Sequence, residues 1–492
     1  MRKRISLLYK NGSAGAIDRN AEQAVYNLNI DRMVSAACDK PKQAEYFLSV
    51  LCREGASASD AAYRAEILKD FIAHPELLFS LLQLFRGYEN LPEETEEILK
   101  EIFRYGAPAS VGGMLDCAYE ELYVNAHYAR NVIAYFSEIL ELFEGYEVKS
   151  EGLLAMKGFC SSINESRCIT ELENAAERFR SENASSYRFS VKACLDEAMR
   201  IRSCSVTDVT DISEKEKRSL RSLFKKDKTV SVDIGTSAAD NSGSAAAVAL
   251  TELSGIFSDL AGGIYSVFKG IGEELAFYAT ALDIEKRLRL SGMPYCFPEV
   301  LAVEEDTLEG EGIYDMLLLN EGKKKKDIVT NSVSLEKSIL ARGDNNCGKT
   351  SFLRSLGCAV IFAQNGLFVC AERMKVSVRS GIFTHFSSAE KDFTDGDAAG
   401  RFEGEVKEIA DIMRQVKPYS LVMLNETFQT TAYREGAEGM KDILNALEAY
   451  RCRFVFVTHM KAIFSHFTGD EVSVLNAVGF KLVPDSEVRK EA

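Results

Sequence analysis

Eight residues restrict what this 492-residue chain can fold into more than any others: Gly343-Asp344-Asn345-Asn346-Cys347-Gly348-Lys349-Thr350. Their spacing, G-x-x-x-x-G-K-[ST], is that of a loop whose glycines let successive backbone N–H groups wrap phosphates. A short apolar run ends at Ala341 just before it, and a helical pattern, Phe352, Leu353, Leu356 and Val360, follows Ser351. The loop is therefore expected between a strand and a helix start, where the partial charge of the helix favours an anion. Lys349 is expected to reach the β and γ phosphates and the Thr350 hydroxyl to ligate Mg²⁺, so the ligands predicted are a nucleotide and Mg²⁺.

Two further apolar runs end in residues that suit the same chemistry. Ser420-Leu421-Val422-Met423-Leu424 leads into Asn425-Glu426, which makes Glu426 the expected general base for an attacking water. Arg453-Phe454-Val455-Phe456-Val457 leads into Thr458-His459, placing an imidazole near the same sheet edge to sense the γ phosphate. Such β-like runs alternate with helical ones from Ser338 onward, so this part of the chain predicts an α/β sheet domain. The other histidines, His74, His127, His385 and His466, have no ligand-like spacing and receive no role.

With 59 Lys and Arg against 74 Asp and Glu, the net charge of −15 excludes a protein that coats nucleic acid non-specifically, because that binding runs on cations displacing counterions. A local basic patch is still allowed. The 12 cysteines are scattered without a C-x-x-C pair, which reads as reduced thiols instead of disulfides or zinc ligands. No apolar run approaches ~18 residues, and none follows Met1-Arg2-Lys3-Arg4, so a cytoplasmic protein without membrane contact is expected.

From about residue 20 to 200, apolar residues recur at helical spacing, as in Tyr128, Val132, Tyr135, Phe136, Ile139 and Phe143, and Pro75 is placed to open a helix. The pattern fails between Ser203 and Ser244. That stretch reads as an exposed insertion carrying Lys215, Lys217, Arg218, Arg221, Lys225, Lys226 and Lys228. Periodicity returns through Ile264, Phe268, Ile271, Leu275, Tyr278 and Leu282, and the two helical stretches are expected to pair antiparallel with the insertion at their far tip. Lys323 to Lys326 reads as a solvated hairpin turn. The division expected is residues 1–20 unassigned, 21–285 a helical core and lever region, and 286–492 the sheet domain.

The motif set resembles the ATPase domain of the MutS family of DNA mismatch-repair proteins, an ABC-type ATPase. The family loop reads G-P-N-x-x-G-K-[ST], and Gly343, Asn345, Gly348, Lys349 and Thr350 are in register, with Asp344 in place of the proline. Gly366 to Ala371 is similar to the family's G-x-x-V-P-A, Ile382-Phe383-Thr384 to its I-F-T-R strand, Leu421 to Glu426 to its L-V-L-L-D-E, and Thr458-His459-Met460 to its T-H-Y. Leu290 to Pro298 resembles the segment that joins the helical core to the ATPase, and Ile328 to Asn331 stands where the family has its adenine-packing strand. The similarity is strong over about residues 285 to 465 and weaker upstream.

What the resemblance implies is an ABC-type P-loop ATPase domain, with ATP as its nucleotide, behind a mostly helical core and lever region, working as a homodimer. Each nucleotide would lie between one subunit's loop and the other's signature segment, here Gly400, Arg401, Phe402 and Glu405, and closure would move a clamp around DNA. Gly400 stands where the family has a serine, and Asn425 replaces the usual metal-binding aspartate, so weaker metal binding or slower turnover is expected. The chain is further expected to lack the family's amino-terminal mismatch-reading domain and to leave little room for its carboxy-terminal helix-turn-helix. DNA contact is assigned to Lys215 to Lys228. The rival expectation is a weakly hydrolysing, nucleotide-gated scaffold that dimerises and binds another protein instead of DNA.

Overall fold

The computed structural model describes residues 5–10, 14–104, 111–165, 187–195, 201–211, 239–320, 322–387, 398–428, 433–467, 471–478 and 480–485. By internal contacts the chain forms two units, Met1–Ile5 with Ser80–Glu147 and Leu154–Gly272, and Ser6–Phe79 with Val148–Leu153 and Glu273–Ala492. Residues 6–79 thus group with the sheets that follow residue 298, not with the long helices.

The first unit is built on long helices. Pro75, whose missing N–H costs nothing at a helix start, opens Pro75–Ile102. Val111–Glu144 and Ala239–Phe268 follow, and their aromatic residues interlock: Tyr88 stacks on Tyr265 at 4.9 Å, while Phe268 meets Phe85, Phe136 and Phe159 at 5.9, 5.4 and 5.4 Å. Asn125 donates to Ser254 and Phe136 meets Phe268, so contacts advance together along Val111–Glu144 and Ala239–Phe268, and these two helices run parallel. This corrects the expected antiparallel pairing. The antiparallel partner of Ala239–Phe268 is Pro75–Ile102, because the chain makes an extra outward leg before it returns.

A second correction concerns the end of the helical stretch. An antiparallel hairpin, β1 (Tyr187–Leu195) and β2 (Ile201–Asp211), occupies the region where helix and insertion had been expected. Tyr187, Phe189, Val191, Ala193 and Leu195 alternate with more polar residues, a strand period that the longer helical pattern upstream obscured. The cluster Lys215 to Lys228 lies outside the described residues.

The second unit holds two sheets. One is four-stranded, in the order β3 (Glu299–Leu301), β7 (Arg373–Ser377), β4 (Leu308–Ile313), β5 (Asn331–Ser334). The other has six strands, ordered β12 (Lys481–Pro484), β11 (Ser473–Val478), β6 (Ile339–Arg342), β10 (Arg453–Val457), β9 (Leu421–Asn425), β8 (Ile382–Phe386), all parallel except the edge strand β12. Central parallel strands are covered on both faces and need apolar residues throughout, which is why every residue of β9 is buried. Ala398–Gln415 and Tyr433–Ala449 supply one cover, with Ile409, Met440 and Leu444 against Val422, Leu424, Phe454 and Phe456. Full burial of each such side chain contributes roughly 1.5–3 kcal/mol.

Three smaller features complete this unit. Ser6, through its hydroxyl, and Leu7, through its N–H, donate to the buried Glu274 carboxylate, while Tyr63 and Tyr278 donate to the carbonyls of Ser6 and Leu7. The Asp306 carboxylate bridges two cations, Arg379 at 2.6 Å and Arg453 at 2.9 Å. Lys325–Asp327 forms a single 3₁₀ turn, not a hairpin, and Lys325 donates to the Gly292 carbonyl at 2.6 Å.

Candidate functional site

Strand register assembles the site. Val457 of β10 stands level with Asn425 of β9 on one side and Ala341 of β6 on the other, so the residues that follow each strand emerge together at the carboxyl edge of the sheet. In open parallel sheets this edge is where ligands bind. Gly343 to Thr350, Asn425-Glu426 and Thr458-His459, separated widely in sequence, are brought together in this way.

The loop folds as its glycines require. Gly343 has φ +156° and Gly348 φ +89°, and a Cβ at Gly343 would lie 2.8 Å from both Ala477 Cβ and Cys347 Sγ. Asn346 takes φ +59°, a left-handed conformation that Asn tolerates well. Gly348 is the N-cap of Lys349–Gln364, so the unpaired N–H groups of that helix face the loop. A cavity of ≈ 600 Å³ opens here, lined by Asn345, Asn346, Cys347, Gly348, Lys349, Thr350, Ser351, Arg354, Ser387, Asn425, Glu426 and Phe480. Lys349 Nζ lies inside the loop, donating to the carbonyls of Gly343 (2.9 Å) and Asp344 (2.7 Å).

Glu426 takes φ +53°, which turns it off the end of β9 toward His459. The His459 N–H donates to one carboxylate oxygen at 3.3 Å, and the ring Nε2 stands 2.9 Å from the other. Burial of the ring, and then the Lys349 ammonium, push the His459 pKa below its ordinary value against the opposing pull of Asp344. Both effects favour the neutral form of the imidazole beside Glu426.

Thr350 donates its hydroxyl to Asn425 Oδ1 at 3.1 Å, so the two oxygens proposed for the metal face each other. This donor set fits Mg²⁺ in position but offers no carboxylate charge, and Mg²⁺ in such sites is usually held by one or two carboxylates together with substrate phosphates. Among the described residues no cluster of three His, Cys, Asp or Glu could hold a metal.

Beside the loop lies a smaller cavity of ≈ 120 Å³ that includes Asp315, Val329, Asn331, Ser351 and Phe480. Asn331 lines it, but its amide is committed to the β11–β12 hairpin, accepting from the Leu482 N–H at 2.7 Å. Ile328 is buried and is not part of the lining, where Val329 stands instead. Phe480, which sequence reading missed, borders both cavities, and no motif marks it. Ser387 and Arg354 were missed too. Ser387 directly follows β8, the one signal that could have found it.

Gly400 and Arg401 lie on the helix Ala398–Gln415, whose Phe402 and Glu405 side chains turn inward. Phe402 packs edge-on against Phe428 at 5.4 Å, and the buried Glu405 accepts from Ser387 Oγ (2.5 Å) and the Phe428 N–H (2.9 Å). Both side chains are thus tied to the loop that follows Glu426.

Comparison with known proteins agrees with this geometry. Residues 339–479 match MutS domain V. The chain is 34% identical over 125 residues to the DNA mismatch repair protein MSH3 of Pyricularia oryzae, covering 25% of this chain and 11% of that one. It is 29% identical over 148 residues to the endonuclease MutS2 of Thermus thermophilus (30% and 20%), and 31% identical over 121 residues to the DNA mismatch repair protein MutS of the same species (25% and 14%). Each match therefore spans a fifth or less of the relative's own length. The part of this chain in which the loop, Glu426 and His459 meet at one sheet edge is thus the part that is similar to MutS domain V.

Proposed function

We propose that residues 286–492 form an ABC-type P-loop ATPase and that the chain, acting in the cytoplasm as a homodimer, couples ATP binding and hydrolysis to clamp movement on DNA, in mismatch repair or a related transaction. The observation that carries this reading is the shared register of β6, β9 and β10, which gathers Lys349, Thr350 and Glu426 around one cavity and sets His459 against Glu426. The amides of Gly343 to Gly348 cradle phosphates, and Lys349 exchanges its two carbonyl partners for phosphate oxygens. Glu426 takes the proton of the attacking water, with neutral His459 beside it toward the γ phosphate. Mg²⁺ would be held by Thr350 and Asn425 and would supply charge neutralisation at the phosphates.

Steady-state ATP hydrolysis, alone and with homoduplex, mismatched and branched DNA, tests the reading against Glu426→Gln as the blank. Turnover that depends on Glu426 and changes with DNA is expected; turnover equal to the blank in every condition would overturn it. Two smaller expectations accompany it. Asn425→Asp restores a carboxylate at the metal position and should lower the Mg²⁺ concentration for half-maximal activity severalfold, read from Mg²⁺ titrations of the rate. Because burial and Lys349 hold the His459 pKa below the ordinary imidazole value, the fall in kcat that accompanies an imidazolium beside Glu426 should have its midpoint below about pH 6.5 in a pH profile.

A second reading, a weakly hydrolysing scaffold that binds a protein, draws on two observations. Asn425 spends its oxygen on Thr350 instead of offering a charge, and the three long helices carry sixteen acidic against three basic residues. Such helices repel a phosphate backbone, so DNA contact falls to Lys215 to Lys228 alone. A salt-sensitive DNA mobility shift lost on neutralising those residues favours the first reading; nucleotide-dependent dimerisation with no shift favours the second.

A further inference from the structure

Of the residues that directly follow β9, Glu426, Thr427 and Phe428, two have unusual backbone angles. Glu426 and Phe428 both have left-handed φ, +53° and +63°, conformations that persist in non-glycine residues only where the surroundings hold them. Besides the His459 contacts of the Glu426 carboxylate and the Phe402–Phe428 ring contact, each of the three is held by a polar contact. The Glu426 N–H donates to Val457 O at 2.9 Å, the Phe428 N–H donates to Glu405 Oε2 at 2.9 Å, and the Thr427 hydroxyl lies 2.8 Å from His385 Nδ1. Thr427 is fully buried and His385 is 2% exposed, so each is the partner that makes burying the other's polar atoms tolerable.

The other ring nitrogen looks the opposite way. His385 Nε2 is 3.2 Å from Glu408 Oε2, close enough for a charge contact but off the line of a hydrogen bond. Glu408 sits one turn beyond Glu405 on the helix Ala398–Gln415. Two of these polar contacts therefore lead back to that helix, the Phe428 N–H through Glu405 directly and the Thr427 hydroxyl through the imidazole beside Glu408. Beside the ring is a cavity of ≈ 300 Å³, lined by Asn27, Thr384, Glu408 and Asp411 among others, which gives the Glu408 carboxylate room to leave the ring.

We propose that His385 is a positioning residue that fixes Thr427, and with it the Glu426 turn, to the helix Ala398–Gln415, so that displacement of the helix is felt at the hydrolytic carboxylate. The inference rests on the reading of Glu426 as the base and adds the route by which its position is set. Misplacing a reacting group by about 1 Å costs on the order of 10²-fold in rate without touching the distant ligand contacts.

The test uses the full-length protein with His385→Leu, His385→Asn, Thr427→Val and the Leu/Val double variant. Three readouts are taken: kcat, KM for ATP, and amide hydrogen exchange over residues 421–428. His385→Leu and Thr427→Val should each lower kcat roughly ten- to a hundredfold with KM within about threefold, and the double variant should be no worse than the poorer single. His385→Asn, whose side-chain amide still meets the Thr427 hydroxyl, should recover most of kcat. Exchange over 421–428 should rise in the Leu and Val variants but not in the Asn variant. Losses that multiply in the double variant, a KM that rises in step with the fall in kcat, or exchange unchanged in His385→Leu would overturn the proposal. If the unmodified protein turns over no faster than Glu426→Gln, the hydrolytic reading fails by itself, and the exchange result alone decides whether His385 holds the turn.

Discussion

Glu426→Gln lowers kcat for ATP by roughly 10²–10⁴ while nucleotide affinity stays within a few fold. The size follows from what the carboxylate does and where it stands. An amide keeps the shape of Glu426 but accepts no proton, so the contribution of general-base catalysis disappears. The groups proposed to hold the nucleotide are elsewhere: Lys349 is placed by the carbonyls of Gly343 and Asp344, and the amides proposed for the phosphates belong to the loop and the start of the helix Lys349–Gln364. The check pairs steady-state hydrolysis with binding of a fluorescent ATP analogue. A rate that survives the substitution would take the base away from Glu426.

Asp306→Asn destabilises the sheet-bearing unit by about 3 kcal/mol, the low end of what breaking a buried ion pair costs. The Asp306 carboxylate holds two guanidinium groups, and the side chain of Arg379 is completely buried. That burial pulls the Arg379 pKa down, and Asp306 is the group that opposes it. Without the carboxylate, a charged guanidinium is left in the interior with one carbonyl partner, Thr307 O at 3.0 Å. Asn is the informative replacement because position 306 has φ +47°, which Asn accepts more readily than other residues, so the loss reports charge and not backbone strain. Urea unfolding measures it. In the double variant with Arg379→Met, where the fully buried cation is gone, part of the stability should return.

The sheet edge of the candidate site was legible because its strands are covered on both faces. The apolar runs that end at Ala341, Leu424 and Val457 fall on β6, β9 and β10, since a strand buried on both sides has no polar positions to break the run. The glycine loop was legible because its backbone angles exclude most other residues at Gly343 and Gly348. What could not be read belongs to pairings across long separations. Nothing near Asp306 in the sequence announces Arg379 or Arg453, and Phe480 reaches the loop only because the β11–β12 hairpin adds to the sheet edge beside β6. The direction of the long helices failed for a related reason: a periodic stripe shows that a face is buried but not against which neighbour.

The way Ser6 and Leu7 close on Glu274 bears on the order in which the protein is made. The sheet-bearing unit is assembled from Ser6–Phe79, Val148–Leu153 and Glu273–Ala492, so its first helices leave the ribosome before the long-helix unit and its sheets after it. At ~5–20 residues per second, roughly 20–80 s separate residue 79 from the last strands of that unit. Within that interval Leu7 and Phe71, fully buried in the finished protein, wait for partners such as Tyr278, which meets Phe71 at 5.4 Å and donates to the Leu7 carbonyl. The Ser80–Gly272 stretch is under no such delay beyond its own length. Chaperone dependence during synthesis should therefore concentrate on the first eighty residues, whose hydrophobic partners arrive last.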